Sequence, residues 1–229
     1  MLDTDFHRPR GPAEAEALRA ATGGAFLAGG TALQLGWEDR RAPGPLIDLV
    51  GLDLGPAVTR SGEGLRLSAA ATLETLRRDA CLGAALPALA TLLDRVAGLG
   101  VRALATLGGN IGWRAGDLVP PLLALGASVE GADGARVSLE DWLAGPPALI
   151  TAVHAPIGPL ACEKVGRREA FSPALVTVAV SGARVAIGGG PVPPRRVTDL
   201  AALDLPSDAA ASGDHRRAVV LNLVRHLSA

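Results

Sequence analysis

Cysteine is scarce: the 229-residue chain has two, Cys81 and Cys162. That is too few for a disulfide scaffold or for a protein-held iron–sulfur or zinc site, so both read as small core hydrophobes. Basic excess is also missing. The net charge is -1 and the pI near 6.4, which argues against nucleic acid and against a charged membrane surface. The longest apolar runs, such as 80–93, are short and broken by Pro87, so no membrane span is expected. The opening Met-Leu-Asp-Thr-Asp is acidic and lacks an apolar core, so no secretory signal is read there and a cytoplasmic protein is expected. No Gly-x-Gly-x-x-Gly follows a strand, and no Gly-x-x-x-x-Gly-Lys-Ser/Thr occurs. Both the Rossmann fingerprint and the P-loop are thereby excluded. His154 and His215 have no carboxylate or cysteine pattern beside them, so they read as structural. No metal ligand, general base or nucleophile is assigned.

What is present is glycine, 29 residues of it, and a 48% hydrophobic content that marks a globular chain. Two glycine stretches stand out: Phe26-Leu-Ala-Gly-Gly-Thr-Ala-Leu33 and Leu104-Ala-Thr-Leu-Gly-Gly-Asn-Ile-Gly112. Each has consecutive glycines, which let backbone approach another group closely, followed or preceded by small hydroxyl or amide side chains. Successive backbone N–H groups in such turns form concave anion sites. Two of them suggest a ligand with a pyrophosphate held from both sides; the plain alternative is a pair of tight turns. Of the 22 basic residues 21 are Arg, and the lone Lys is Lys164.

Patterning predicts a helix over 12–22, strands at 25–28 and 46–49, paired strands at 57–59 and 65–69, and a helix from Leu73 capped by Thr72. A helix over 82–98 split at Pro87, a helix over 117–125, a hairpin joining Val129 to Val137 and a short helix after Ser138 follow. Strands are expected at 149–155, 160–167, 174–181 and 183–188, then a stiff loop over 188–194 and a helix over 214–227. The fold class is α+β. The division is 1–148, in subdomains of about 1–52 and 53–148, and a C-terminal antiparallel sheet with helices over 149–229.

The order of these features resembles the FAD-binding medium subunit of molybdenum hydroxylases, the family of carbon monoxide dehydrogenase and of the flavin domain of xanthine dehydrogenase. The residues that carry it are Ala28-Gly29-Gly30-Thr31, Leu46-Ile-Asp-Leu49, Leu67-Ser-Ala-Ala-Ala-Thr-Leu73, Arg102 with Ala105-Thr-Leu-Gly-Gly-Asn-Ile111, Asp117 to Leu125, Glu163-Lys-Val-Gly-Arg-Arg168 and Asp214-His-Arg-Arg217. The resemblance implies a PCMH-type FAD-binding fold with FAD extended between two parts. It places Leu27, Ala28, Gly29, Gly30, Thr31, Ala32 and Leu33 at one end of the pyrophosphate, and Thr106, Gly108, Gly109 and Asn110 at the other. Asp117 is implied near the ribose, or else serves as a helix cap. Lys164 is implied near the flavin, where its charge favours the anionic reduced form, or else is an exposed strand residue. Replacing Lys164 with Met is then expected to lower the flavin potential, and an unchanged potential overturns that role. The family's usual residues are replaced at Ala32, Ala103, Phe171, Ser172 and His215, and Tyr is absent altogether. Trp113 reads as core cover, the alternative being an adenine contact.

The function implied is an FAD-dependent oxidoreductase subunit. It would pass electrons from a partner iron–sulfur subunit, served by a molybdopterin subunit, to an external acceptor. The alternatives are a cofactor-free scaffold of the same fold and a stand-alone FAD-binding module.

Overall fold

The computed structural model describes residues 5–37, 44–168 and 172–228. Three sheets follow one another along the chain. The first is built from β1 (Phe6–His7), α1 (Pro12–Thr22), β2 (Ala25–Leu27) and β3 (Leu46–Asp48), with a 3-10 turn at Leu33–Gly36. Pro12 opens α1 where its missing N–H costs nothing, and Gly23 closes it in the left-handed region at φ 68. The strands are parallel in the order β1-β3-β2, so their carboxyl ends share one edge. Ala15 and Ile47 pack with Leu149 to fasten this unit to the next.

The second sheet is formed by β4 (Val58–Ser61), β5 (Gly64–Ser68), β6 (Ser128–Glu130), β7 (Arg136–Ser138) and β8 (Ala152–Pro156), in the order β4-β5-β8-β6-β7. Strand β8 was expected to lead the C-terminal sheet. Instead it is the centre of this one, because its Val153 stands in a row with Leu67 and Val129 and faces the same core. That core is covered by helices α2 (Leu73–Arg78), α3 (Ala80–Ala85), α4 (Pro87–Arg95), α5 (Leu99–Arg102), α6 (Leu107–Gly112), α7 (Val119–Leu125) and α8 (Leu139–Ala144). Thr72, Asp79, Thr106 and Ser138 each cap a helix by accepting an N–H three residues on. The helix expected over 82–98 starts earlier, at the Asp79 cap, breaks at Pro87 and ends at Arg95.

The third sheet comprises β9 (Ala161–Gly166), β10 (Ala174–Ser181), β11 (Arg184–Gly189) and β12 (Val192–Val197), antiparallel in the order β12-β11-β10-β9. The stiff loop expected over 188–194 is only a turn at Gly189 and Gly190, both at positive φ. Pro193 and Pro194 lie in β12, an edge strand, at the register shift opposite Ile187–Gly189, where the ladder asks for no donor from them. Helix α9 (Gly213–Leu227) packs Val220 and Val224 on Val176, Val178 and Ile187. The opposite face of the sheet receives α7, whose seven residues are all buried. Among the described residues no helix is long and apolar enough to cross a membrane.

Candidate functional site

The first glycine stretch leaves the carboxyl end of β2, where loops of open parallel sheets take ligands. Gly30 sits at φ 68 and Leu27 turns a methyl toward it, 3.1 Å from where a Cβ would stand. Gly29 lies so close to the Leu104 carbonyl that a Cβ would fall on it. The chain therefore brings the two glycine stretches together across the boundary between the first and second units. Thr31, Ala32 and Leu33 continue the loop into the 3-10 turn, and residues 27–33 are all half-buried. Among the described residues no protein acceptor takes the backbone N–H of Gly29, Gly30, Thr31 or Ala32. Amides without a protein acceptor are open to water or a ligand, and successive open amides in a turn can take an anion.

The second stretch differs, and the expectation of two like hollows needs correcting. The Leu107 and Gly108 amides donate to the Ala71 and Ala69 carbonyls, both at 2.9 Å. The Gly109 amide donates to Thr106 Oγ1 at 3.1 Å and that of Asn110 to the Thr106 carbonyl at 2.9 Å. These donors are spent starting α6 and pinning it to the strand end at Ala69. Gly108 is needed there because a Cβ would stand 2.9 Å from that of Ala69. What the stretch still offers is the Thr106 hydroxyl proton and the Asn110 side-chain amide. Asn110 Oδ1 accepts from the Leu118 amide at 3.2 Å, so its NH₂ is left over.

The signature Arg102 is turned inward. Its Nε donates to Glu74 at 3.0 Å and its Nη1 to the Val96 and Ala97 carbonyls at 3.1 and 3.0 Å. Glu74 also takes Arg77 and Arg78, and the Arg77, Arg102 and Arg78 guanidiniums hold its carboxyl well below the usual carboxylate range. This cluster fixes α5, and with it the approach of Leu104 to Gly29.

Asp117 and Lys164, which the resemblance placed apart along the ligand, form one ion pair at 2.7 Å. Lys164 is not an exposed strand residue: its side chain is 4% exposed and also donates to the Arg95 carbonyl at 3.3 Å. Thr177, opposite Lys164 in the ladder, donates to the other Asp117 oxygen at 3.4 Å. Arg95 pairs in turn with Glu163. The pair thus ties the turn before α7 to the third sheet, and each charge already has a partner.

Two further sequence expectations change. Trp113 is 48% exposed at the end of α6 and covers no core. His154 does have a carboxylate neighbour, Glu130 at 2.9 Å, which the folding of the second sheet supplies from 24 residues away. Glu130 is desolvated, but His154 and Arg66 outweigh that and its pKa is lowered. Cys162 is partly buried, and desolvation pushes its thiol up to about 12, so it is inert. Phe171 lies outside the described residues. Sequence reasoning also missed Asp48 and Arg8, which meet at 3.4 Å beside the first loop. Asp48 ends a parallel strand, and that position was the available signal.

FAD fits these residues: acceptorless amides on Gly29 to Ala32 suit its pyrophosphate, and the Thr106 hydroxyl and Asn110 amide are donors with capacity to spare. The fold has close relatives in shape. CO dehydrogenase from Oligotropha carboxidovorans matches with a TM-score of 0.83 at 24% identity over 99% of this chain and 97% of that one. CO dehydrogenase from Hydrogenophaga pseudoflava matches with 0.84 at 21% identity over 97% and 95%. Quinoline 2-oxidoreductase from Pseudomonas putida 86 matches with 0.83 at 22% identity over 99% and 95%. Residues 2–157 match the model of the FAD-binding domain in molybdopterin dehydrogenase. This match over more than half of the chain makes it a member of the family of FAD-binding domains of molybdopterin dehydrogenases, whose cofactor is FAD.

Proposed function

We propose that this chain is the electron-transferring flavin subunit of a molybdenum hydroxylase-type complex. In this reading an iron–sulfur subunit delivers electrons, a molybdopterin subunit oxidises the substrate, and an external acceptor collects the product electrons. FAD supplies the redox chemistry when bound; the chain supplies binding, position and exclusion of water. The observation that carries the reading is the loop Gly29 to Ala32, whose amides have no protein acceptor and which is held against Leu104. Those amides grip the pyrophosphate, and Thr106 and Asn110 donate from the facing helix start. Gly108 and Gly109 shape that wall without offering amides. Asp117 and Lys164 act as a pair, so any charge they present toward the ligand is nearly neutral.

The visible spectrum of the purified protein tests this. Flavin bands near one per chain support it, and a colourless protein that ignores added FAD overturns it in favour of the cofactor-free scaffold. Gly29→Val puts a side chain onto the Leu104 carbonyl, and FAD affinity is expected to fall at least about tenfold. Gly30→Ala strains a left-handed residue by about 1 kcal/mol and should weaken FAD less. Gly36→Ala meets open space and should leave binding unchanged. Co-purification with iron–sulfur and molybdenum subunits separates a complex from a stand-alone module.

A further inference from the structure

We propose that Arg8 is a counter-ion for the anion held on the Gly29–Ala32 amides, making it a ligand-binding residue for the dinucleotide's phosphates; this rests on the reading above. The placement follows from the first sheet. His7 pairs with Ile47 and Leu27 with Asp48, so Arg8, Asp48 and Leu27 reach the carboxyl edge side by side, and Gly29 follows two residues after Leu27. Ile47 faces the core shared with α1. Asp48, one step along, and Leu27, level with Asp48, face the other way, toward the side on which Leu27 meets Gly30. The Arg8 head lies on Asp48 there.

The chemistry of the edge is incomplete without it. Asp48 places a carboxylate, 15% exposed, beside a cradle for anions, and an unscreened carboxylate would repel phosphate. Arg8 offsets that charge through Nε alone, at 3.4 Å. Among the described residues its two Nη groups have no partner, and its side chain is 82% exposed. Arg102 and Arg216 are the contrast, since each spends several N–H groups on buried protein acceptors. An exposed pair of this length adds little to stability, so folding does not explain the arrangement. A guanidinium anchored by Nε with both Nη groups free presents the fork that matches phosphate oxygens bidentately.

The test uses the full chain stripped of flavin and titrated with FAD at low and high salt. Arg8→Ala should weaken FAD about tenfold, the effect of one charge-assisted contact, and should flatten the salt dependence. Arg8→Lys should recover part of the affinity. Asp48→Asn keeps the acceptor for the Val50 amide, removes the repelling charge and should tighten FAD. The ligand-free Tm of all three should match the parent. Equal FAD affinity in Arg8→Ala, or a loss with unchanged salt dependence, overturns the role of Arg8 while leaving the flavin reading intact. Asp48→Asn weakening FAD as much as Arg8→Ala would show that the pair acts only as a structural strut, which also overturns it. A parent chain that binds no FAD at either salt concentration overturns both.

Discussion

Glu74 shows how much a single residue decides. It is a carboxylate in an apolar helical layer, 8% exposed, and it survives there because Arg77, Arg102 and Arg78 all reach it. Its folded pKa lies below the ordinary 4.5, so its contribution to stability is present above pH 4.5 and is lost as the pH falls below that value. Asp208 behaves alike at the other end of the chain. Arg216, then the Ala211 and Ala210 amides, lower it from 3.8 to about 2, and its contribution disappears between those two values. Glu74→Gln should therefore lower the Tm at pH 7 and flatten its decline on acidification from pH 5 to 3, measured by thermal melts in a buffer series; an unchanged slope counts against the cluster. Arg216 is fully buried and donates to the Leu175, Pro206 and Ala211 carbonyls at 3.0, 2.8 and 2.6 Å. Arg216→Met strands those acceptors and should cost about 3 kcal/mol, at roughly 1 kcal/mol per bond, in urea unfolding. Sequence alone pointed to Arg102 and Asp214-His-Arg-Arg217 as landmarks. It could not show that their guanidiniums face inward, because an arginine's role depends on which carbonyls the fold leaves open around it.

At the scale of elements, α7 joins what the sheets separate. Val-Pro-Pro-Leu-Leu-Ala-Leu is apolar all round, and the structure buries it all round, between the helical layer of the second sheet and the back of the third. Leu122→Ala, at 0% exposure, should cost about 2–5 kcal/mol, and a cost under about 1 kcal/mol in denaturant melts would mean the site collapses around the gap. The periodic elements were legible: α1, β10, β11 and α9 lie within a few residues of where patterning put them. The misread ones have a common cause. Strand β8 and the proline-bearing β12 are assigned to sheets by partners far away in sequence, and an edge position that forgives proline is visible only after pairing.

Across the whole molecule, the Asp117–Lys164 pair is the most buried polar tie between the second unit and the third sheet, beside the more exposed Arg95–Glu163 and Arg196–Glu140 pairs. Lys164→Met leaves Asp117 without its cation and should destabilise the chain by about 3 kcal/mol, whereas the double change with Asp117→Leu should recover most of that. If both variants melt alike, the pair does not stabilise this junction. The same Lys164→Met variant in the FAD-loaded protein reports on the lysine's electrostatic reach through its midpoint potential. Composition, spacing and the run of short motifs were enough to dictate an α+β chain with helices and strands in this order, because hydrophobic period and capping chemistry are local. They also pointed to two glycine stretches as places of close backbone approach. Folding alone settled which stretch keeps its amides open, since a backbone donor is free or spent according to carbonyls dozens of residues away. It likewise brought Arg8 to Asp48 and Lys164 to Asp117, because charges find partners through space and no spacing along the chain records the distance.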